Sequence, residues 1–178
     1  MTLDPIVPGA EPRTEAKAYL RIDGDEDDAL LDRLLAAAVG HGEAFTGRLW
    51  LARGVGEVVP ASPQWQRLTQ GPVRTVDTVA GQDGSALAVA AYAVDIDAAG
   101  DGWVRLAGAG PARLAVTYHA GLADDWSGLP EPLRQGAVRL ASHLYTHRDD
   151  GDEGAPPAAV AALWRPWRRL SLLGGIGR

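Results

Sequence analysis

The chain has 178 residues, 46% of them hydrophobic, enough to bury the core of one domain or of one domain with an insertion. It has no cysteine, which excludes disulfides, thiolate metal sites and cysteine nucleophiles, and its formal charge of −6 argues against a surface that grips nucleic acid throughout, because phosphate affinity comes from Lys and Arg. No run approaches the roughly 18 apolar residues of a membrane span, and the N-terminus lacks a basic stretch followed by an apolar one, so the sequence predicts a soluble chain without a signal peptide.

Residues 1–13 hold Pro5, Pro8, Gly9 and Pro12, which resist regular structure and predict a flexible N-terminal arm. TEAKAYLRI predicts a short helix with Thr14 as N-cap and Gly24 as its end. DEDDALLDRLLAAAVGHGEAFTG then predicts a longer helix, in which Leu31, Leu34, Leu35, Ala38 and Phe45 share one apolar face. The acids Asp23, Asp25, Glu26, Asp27 and Asp28 resemble a calcium loop only superficially. Counted from Asp23, the sixth position is Asp28 where glycine is needed, and the twelfth is Leu34 where a bidentate glutamate is needed. The acids suit the positive end of the helix instead.

From Arg48 to about Tyr118 the helical period gives way to short β-like runs. Leu114, Val116 and Tyr118 alternate with Arg113, Ala115 and Thr117, and Tyr92, Val94 and Ile96 alternate in the same way, predicting half-buried strands. Gln82-Asp83-Gly84 and Gly100-Asp101-Gly102 carry hairpin-turn chemistry. Pro130 or Pro132 opens a further helix, with Leu133, Ala137, Leu140, Ala141 and Leu144 as its stripe. Residues 149–157 read as a linker. The tail from 158 to 178 is basic, carries two tryptophans and has little of its own to pack against, which marks it as a docking segment.

Catalytic patterns are weak. His143 and His147 stand four apart, but Leu144 occupies the position of a metalloprotease glutamate, and no third ligand is suggested. Ser142 lacks the strand-turn-helix elbow of a serine nucleophile. Gly54, Gly56, Gly108, Gly110 and Gly174–Gly177 lack the helix and Lys-Ser/Thr of a phosphate cradle. Trp103 reads as core, while Trp126 and the tail tryptophans could line a sugar or base platform. No metal or cofactor is expected.

The segments EAKAYLRIDGDEDDALLDRLLAAAVGHGEAFTGR, GPVRTVDTVAGQDG, ARLAVTYHAGL, LPEPLRQGAVRLASHLYTHRDD and ALWRPWRRL, in this order, resemble the head-tail connector (adaptor) proteins of long-tailed phages and phage-like gene transfer agents. The resemblance runs from about residue 14 to 170. It implies an α+β fold: a small helical bundle with an inserted antiparallel β-sheet or barrel and an extended C-terminal docking tail. The domain would span 14–148, with helices in 14–47 and 130–148, the β insertion at 48–120, and linker and tail at 149–178. It further implies a non-enzymatic protein in a dodecameric ring below the portal, in the neck of the particle, assembled in the bacterial cytoplasm. Its partners would be the portal protein, neighbouring copies, the next tail or stopper component, and packaged DNA passing without sequence-specific binding.

On this reading Trp164 and Trp167 are docking anchors, Arg165, Arg168 and Arg169 pair with partner carboxylates, and Leu170 completes the contact. A ring of about twelve copies would carry roughly seventy negative charges, repelling the phosphates of passing DNA. Asp25, Asp27, Asp28, Asp124 and Asp125 are candidates for the lumen. Alternatives are a tail-completion or stopper protein, a small hydrolase using an acid pair or the two histidines, and a carbohydrate- or nucleic-acid-binding module.

Overall fold

The computed structural model describes residues 1–147 and 156–169. The chain forms two compact units: a β unit of Met1–Pro5 and Leu49–Asp124, and a helical unit of Ile6–Arg48 and the chain from Asp125 onward.

In the helical unit, α1 spans Ala10–Leu20, α2 Asp28–Thr46, α3 Glu131–Thr146 and α4 Ala158–Trp164. Helix α1 therefore starts before the expected Thr14. Pro12 sits in its first turn, where a missing N–H costs no helix bond. The Thr14 hydroxyl donates back to the Ala10 carbonyl at 3.0 Å instead of capping. The helix ends at Leu20, short of Gly24, because Arg21 adopts the left-handed conformation (φ 59°). The N–H of Ile22 then reaches the Lys17 carbonyl at 3.0 Å. Helix α2 ends on Gly47, also left-handed at φ 67°, whose N–H satisfies the Glu43 carbonyl. Leu31, Leu35, Ala38 and Val39 of α2 are buried, as are Leu133, Ala137, Leu140 and Ala141 of α3. Helix α3 packs against each of the other three. Ala16 of α1 and Val160 and Trp164 of α4 complete this core.

In the β unit, β1 spans Thr2–Leu3, β2 Arg53–Pro60, β3 Gln66–Arg67, β4 Val73–Gly81, β5 Tyr92–Ile96, β6 Gly102–Leu106 and β7 Arg113–Ala120. They form an antiparallel sheet of order β1-β2-β7-β4 and a second of order β3-β6-β5. Part of the expected irregular arm is thus a strand, since Thr2–Leu3 finds hydrogen-bonding partners on β2. Among the described residues neither sheet closes into a barrel, so the fold is α+β with open antiparallel sheets.

Strand β7 follows its alternation closely: Leu114, Val116, Tyr118 and Ala120 are buried while Arg113, Thr117 and His119 are exposed. These side chains share a core with Val55, Val59 and Val79 and with Leu68, Val104 and Leu106. The turn glycines also behave as expected, Gly84 and Gly100 having φ of 83° and 79°. Strand β5 departs from expectation. Tyr92 packs on the core, but Val94 and Ile96 are 43% and 38% exposed, because β5 is an outer strand of its sheet.

A polar network lies inside the β unit. The Tyr118 hydroxyl donates to Glu57 Oε1 at 3.2 Å and accepts from the Gln70 N–H at 3.1 Å, and Glu57 Oε1 also accepts from the Thr69 N–H at 2.9 Å. Every polar atom named here has a partner, which is what burial at this depth requires. Burial, with the Glu57 carboxylate beside it, pushes the Tyr118 phenol well above its ordinary range.

Candidate docking segment and charged surfaces

Helix α4 and the residues after it form the segment marked by the sequence as a docking tail. Its first tryptophan corrects that expectation: Trp164 is fully buried in the helical unit and is no surface anchor. The indole lies over Gly136 of α3, its Nε1–H reaches the Leu133 carbonyl at 3.4 Å, and its ring stands 6.0 Å from that of Phe45 at 54°. Gly136 lies one turn beyond Leu133, so its missing side chain clears the approach to that carbonyl. The tail does have something to pack against.

Beyond Trp164 a short 3₁₀ turn, Arg165–Trp167, reverses the character of the segment. Arg165 and Arg168 are exposed, and Trp167 and Arg169 are half-buried. The Arg168 guanidinium sits 5.4 Å from the centre of the Phe45 ring, a cation–π geometry, and the Arg169 N–H donates to the Thr46 carbonyl at 2.8 Å. The segment is therefore clamped from inside by Trp164 and from its far end by α2, leaving arginines on its outer side. Leu170 lies outside the described residues, as does most of the expected linker.

The five candidate lumen acids are all drawn into local bonds. Lys17 of α1 donates to Asp25 at 2.7 Å and to Asp28 at 2.8 Å, and Arg13 Nε lies 3.3 Å from Asp28. The Lys17 hydrogen bond holds the Asp25 carboxyl below the usual range, and the same acids hold the Lys17 ammonium above its own. The Tyr145 hydroxyl donates to Asp27. Asp124 pairs with Arg74. Asp125 accepts from the Gly128 N–H at 2.9 Å and the Ser127 hydroxyl at 2.8 Å, and these bonds lower its pKa. The run at 23–28 therefore ties the start of α2 to α1 and α3, which the dipole reading alone did not foresee.

No protein-family model and no curated protein matches the chain. Solved structures do. A chain in the neck of an empty gene transfer agent particle with C6 symmetry superposes with a TM-score of 0.77 at 30% identity, covering 98% of this chain and 99% of that one. The chain belongs to the family of gene transfer agent neck proteins. Matching chains in the virion of a native particle and in the neck of a native particle with C12 symmetry have TM-scores of 0.75 and 0.69, with the same identity and coverage.

The His143 and His147 rings lie with centroids 4.2 Å apart and planes tilted by 33°, and among the described residues no group of three or more His, Asp or Glu is placed to hold a metal ion. Trp126 is buried and donates to Glu15 Oε1 at 3.0 Å, so its faces are not open to a ligand. Trp103 is half-buried and donates to Asp97 Oδ2 at 3.2 Å. Among the described residues no helix is long and apolar enough to cross a membrane.

Proposed function

We propose that the chain is the head-tail connector of a gene transfer agent or long-tailed phage particle, a structural protein that forms a ring below the portal and joins the filled head to the tail. One observation carries this reading: likeness over nearly the full length of both chains, at 30% identity, to a chain in a particle neck. Necks with C6 and C12 symmetry support an assembly of repeated copies around the particle axis. On this reading the chain works by binding and needs no catalytic residue. The acidic surplus of each copy disfavours DNA phosphates, so that DNA slides through the ring.

The portal-docking face is assigned to Arg165, Trp167, Arg168 and Arg169, with Leu170 next in sequence. Trp164 acts as the internal clamp that holds this face in place. Arginine forks suit carboxylates on the partner, and Trp167 adds apolar area at their centre. Asp25, Asp27, Asp28, Asp124 and Asp125 contribute to the negative field of the lumen while bonded locally. The stopper reading rests on the same likeness, and position in the neck separates the two.

Deleting the gene in the producing cell and imaging its particles tests the proposal. The expected result is filled or leaking heads beside detached tails, restored by the wild-type gene. Complete tailed particles would remove the connector role.

A further inference from the structure

The sheet β3-β6-β5 carries two tryptophan–arginine pairs on its outward face, and only one of them is satisfied within the unit. On β6, Val104 and Leu106 are buried, so Trp103 and Arg105 point to the other side of the sheet, where Arg105 is exposed. Arg67 of β3 pairs across to Trp103, its guanidinium 6.0 Å from the ring centre. The polar groups of that pair are engaged locally: Arg67 pairs with Asp101, and the Trp103 indole donates to Asp97. One row further along β6, the Arg105 guanidinium lies 4.9 Å from the ring centre of Trp65, a residue 43% exposed. Arg105 makes no hydrogen bond or ion pair with any described residue, and its neighbour on β5 is Ala93, too short to cover it. Trp65 thus holds a cation in place while its fork of N–H donors stays unused. A fork positioned in advance loses little freedom when it binds a carboxylate.

The loop joining α1 to α2 offers the complementary charge. Lys17 engages Asp25 and Asp28, and Tyr145 engages Asp27, but Asp23 and Glu26 are exposed and bonded to no described residue. We infer that Trp65 and Arg105 of one copy receive Asp23 and Glu26 of the next copy in the ring. This rests on the proposed ring of copies. A closed ring needs a heterologous contact, in which one patch meets a different patch on the neighbour, so a single chain must carry both halves. The described acids of the chain's own fold leave Arg105 open, so its occupant comes from a neighbour. Arginine already covers the Trp65 face, which offers no platform to a nucleobase, whereas tryptophan and arginine are the residues enriched at the energetic centres of protein interfaces.

Charge reversal on two separate chains tests the contact. One chain carries Arg105→Glu, the other Asp23→Arg with Glu26→Arg, and each is expressed alone, then both together, in cells lacking the native gene. With either chain alone, complete tailed particles counted by electron microscopy are expected to fall tenfold or more, because like charges meet at every contact. Co-expression is expected to raise the count well above either chain alone. Alternating copies in a ring of even number, as six- or twelve-fold necks allow, place opposite charges at every contact, whereas a contact within one chain would gain nothing from mixing. Circular dichroism of the purified chains checks that both fold; Arg105→Gln and Glu26→Gln, which remove attraction without adding repulsion, are expected to give smaller losses. Normal particle numbers with either reversed chain alone, or no recovery when two folded chains are mixed, would overturn the contact. Loss with Arg105→Glu but none with the reversed loop would assign Arg105 to phosphates of DNA or to another neck protein, and overturns it too. If the wild-type chain is itself missing from purified particles, the neck reading falls, and the inference with it.

Discussion

Gly136 on α3 and Trp164 on α4 fit as slot and plug: a Cβ on Gly136 would meet the indole Cε2 at 2.7 Å and Cδ1 at 2.9 Å, with Nε1 closer still. In an open helix Gly→Ala gains up to about 1 kcal/mol. Here the rigid, buried indole reverses that sign, and overpacking of this kind costs about 1–3 kcal/mol. Gly136→Ala is expected to lower the melting temperature of the purified chain. Trp164→Ala, which empties the slot, should cost about 3–5 kcal/mol. Calorimetry on both variants checks the order of effects, and a Gly136→Ala chain more stable than wild type would contradict the packing described.

The two faces of the C-terminal segment should separate in experiment. Deleting 158–178 removes Val160 and Trp164 from the helical core, so the truncated chain is expected to lose stability as well as binding. Arg165→Glu with Arg168→Glu leaves that core intact. The double variant should keep its circular dichroism spectrum, with a melting temperature lowered only by the lost Arg168–Phe45 contact, while portal capture in a pull-down falls by tenfold or more. Equal portal capture by the double variant and wild type would exclude this face as the docking surface.

Alkaline pH should weaken the β unit through Tyr118. Its folded-state pKa lies above the ordinary 10.0, so the neutral phenol's contribution is fully present below pH 10. As pH rises further, the unfolded chain ionises while the folded chain does not, and stability falls. Tyr118→Phe removes this dependence and also leaves the Gln70 N–H without the phenolic acceptor. The variant should therefore be less stable at pH 8 but show a shallower decline between pH 10 and 11, as read from denaturant midpoints. An unchanged slope would mean that the phenol does not control it.

The acid run should respond to Lys17. Asp25 is held below its ordinary pKa, so its contribution is present above that ordinary value and is lost as pH falls through the lowered one. Lys17→Ala is expected to return the Asp25 pKa upward toward 3.8 in a carboxylate NMR titration. The exposure of Asp25 means that the effect on melting temperature should be small.

Periodicity made much of this fold legible. The stripe Leu133, Ala137, Leu140, Ala141 and the alternation Leu114, Val116, Tyr118 each belong to elements with one buried face, and burial of one face writes itself into spacing. Val94 and Ile96 have the same alternation but sit on an outer strand, where pattern no longer guarantees cover. Pro12 misled because proline breaks a helix in its interior yet suits its first turn. Trp164 was legible as a residue that binds something; its slot at Gly136 lies far upstream, and only folding brings the two together. A lone glycine inside α3's helical pattern was the signal that could have found it. The Thr2–Gly56 pairing and the Lys17–Asp28 pair are likewise contacts between segments, which local propensity does not encode.

A reconstruction of the neck in particles from the producing cell would test the central claim most directly. The account expects a ring of copies of this fold between portal and tail, with residues 165–169 of each copy against the portal. A neck lacking this chain, or a ring that meets only tail components while another protein covers the portal rim, would contradict it.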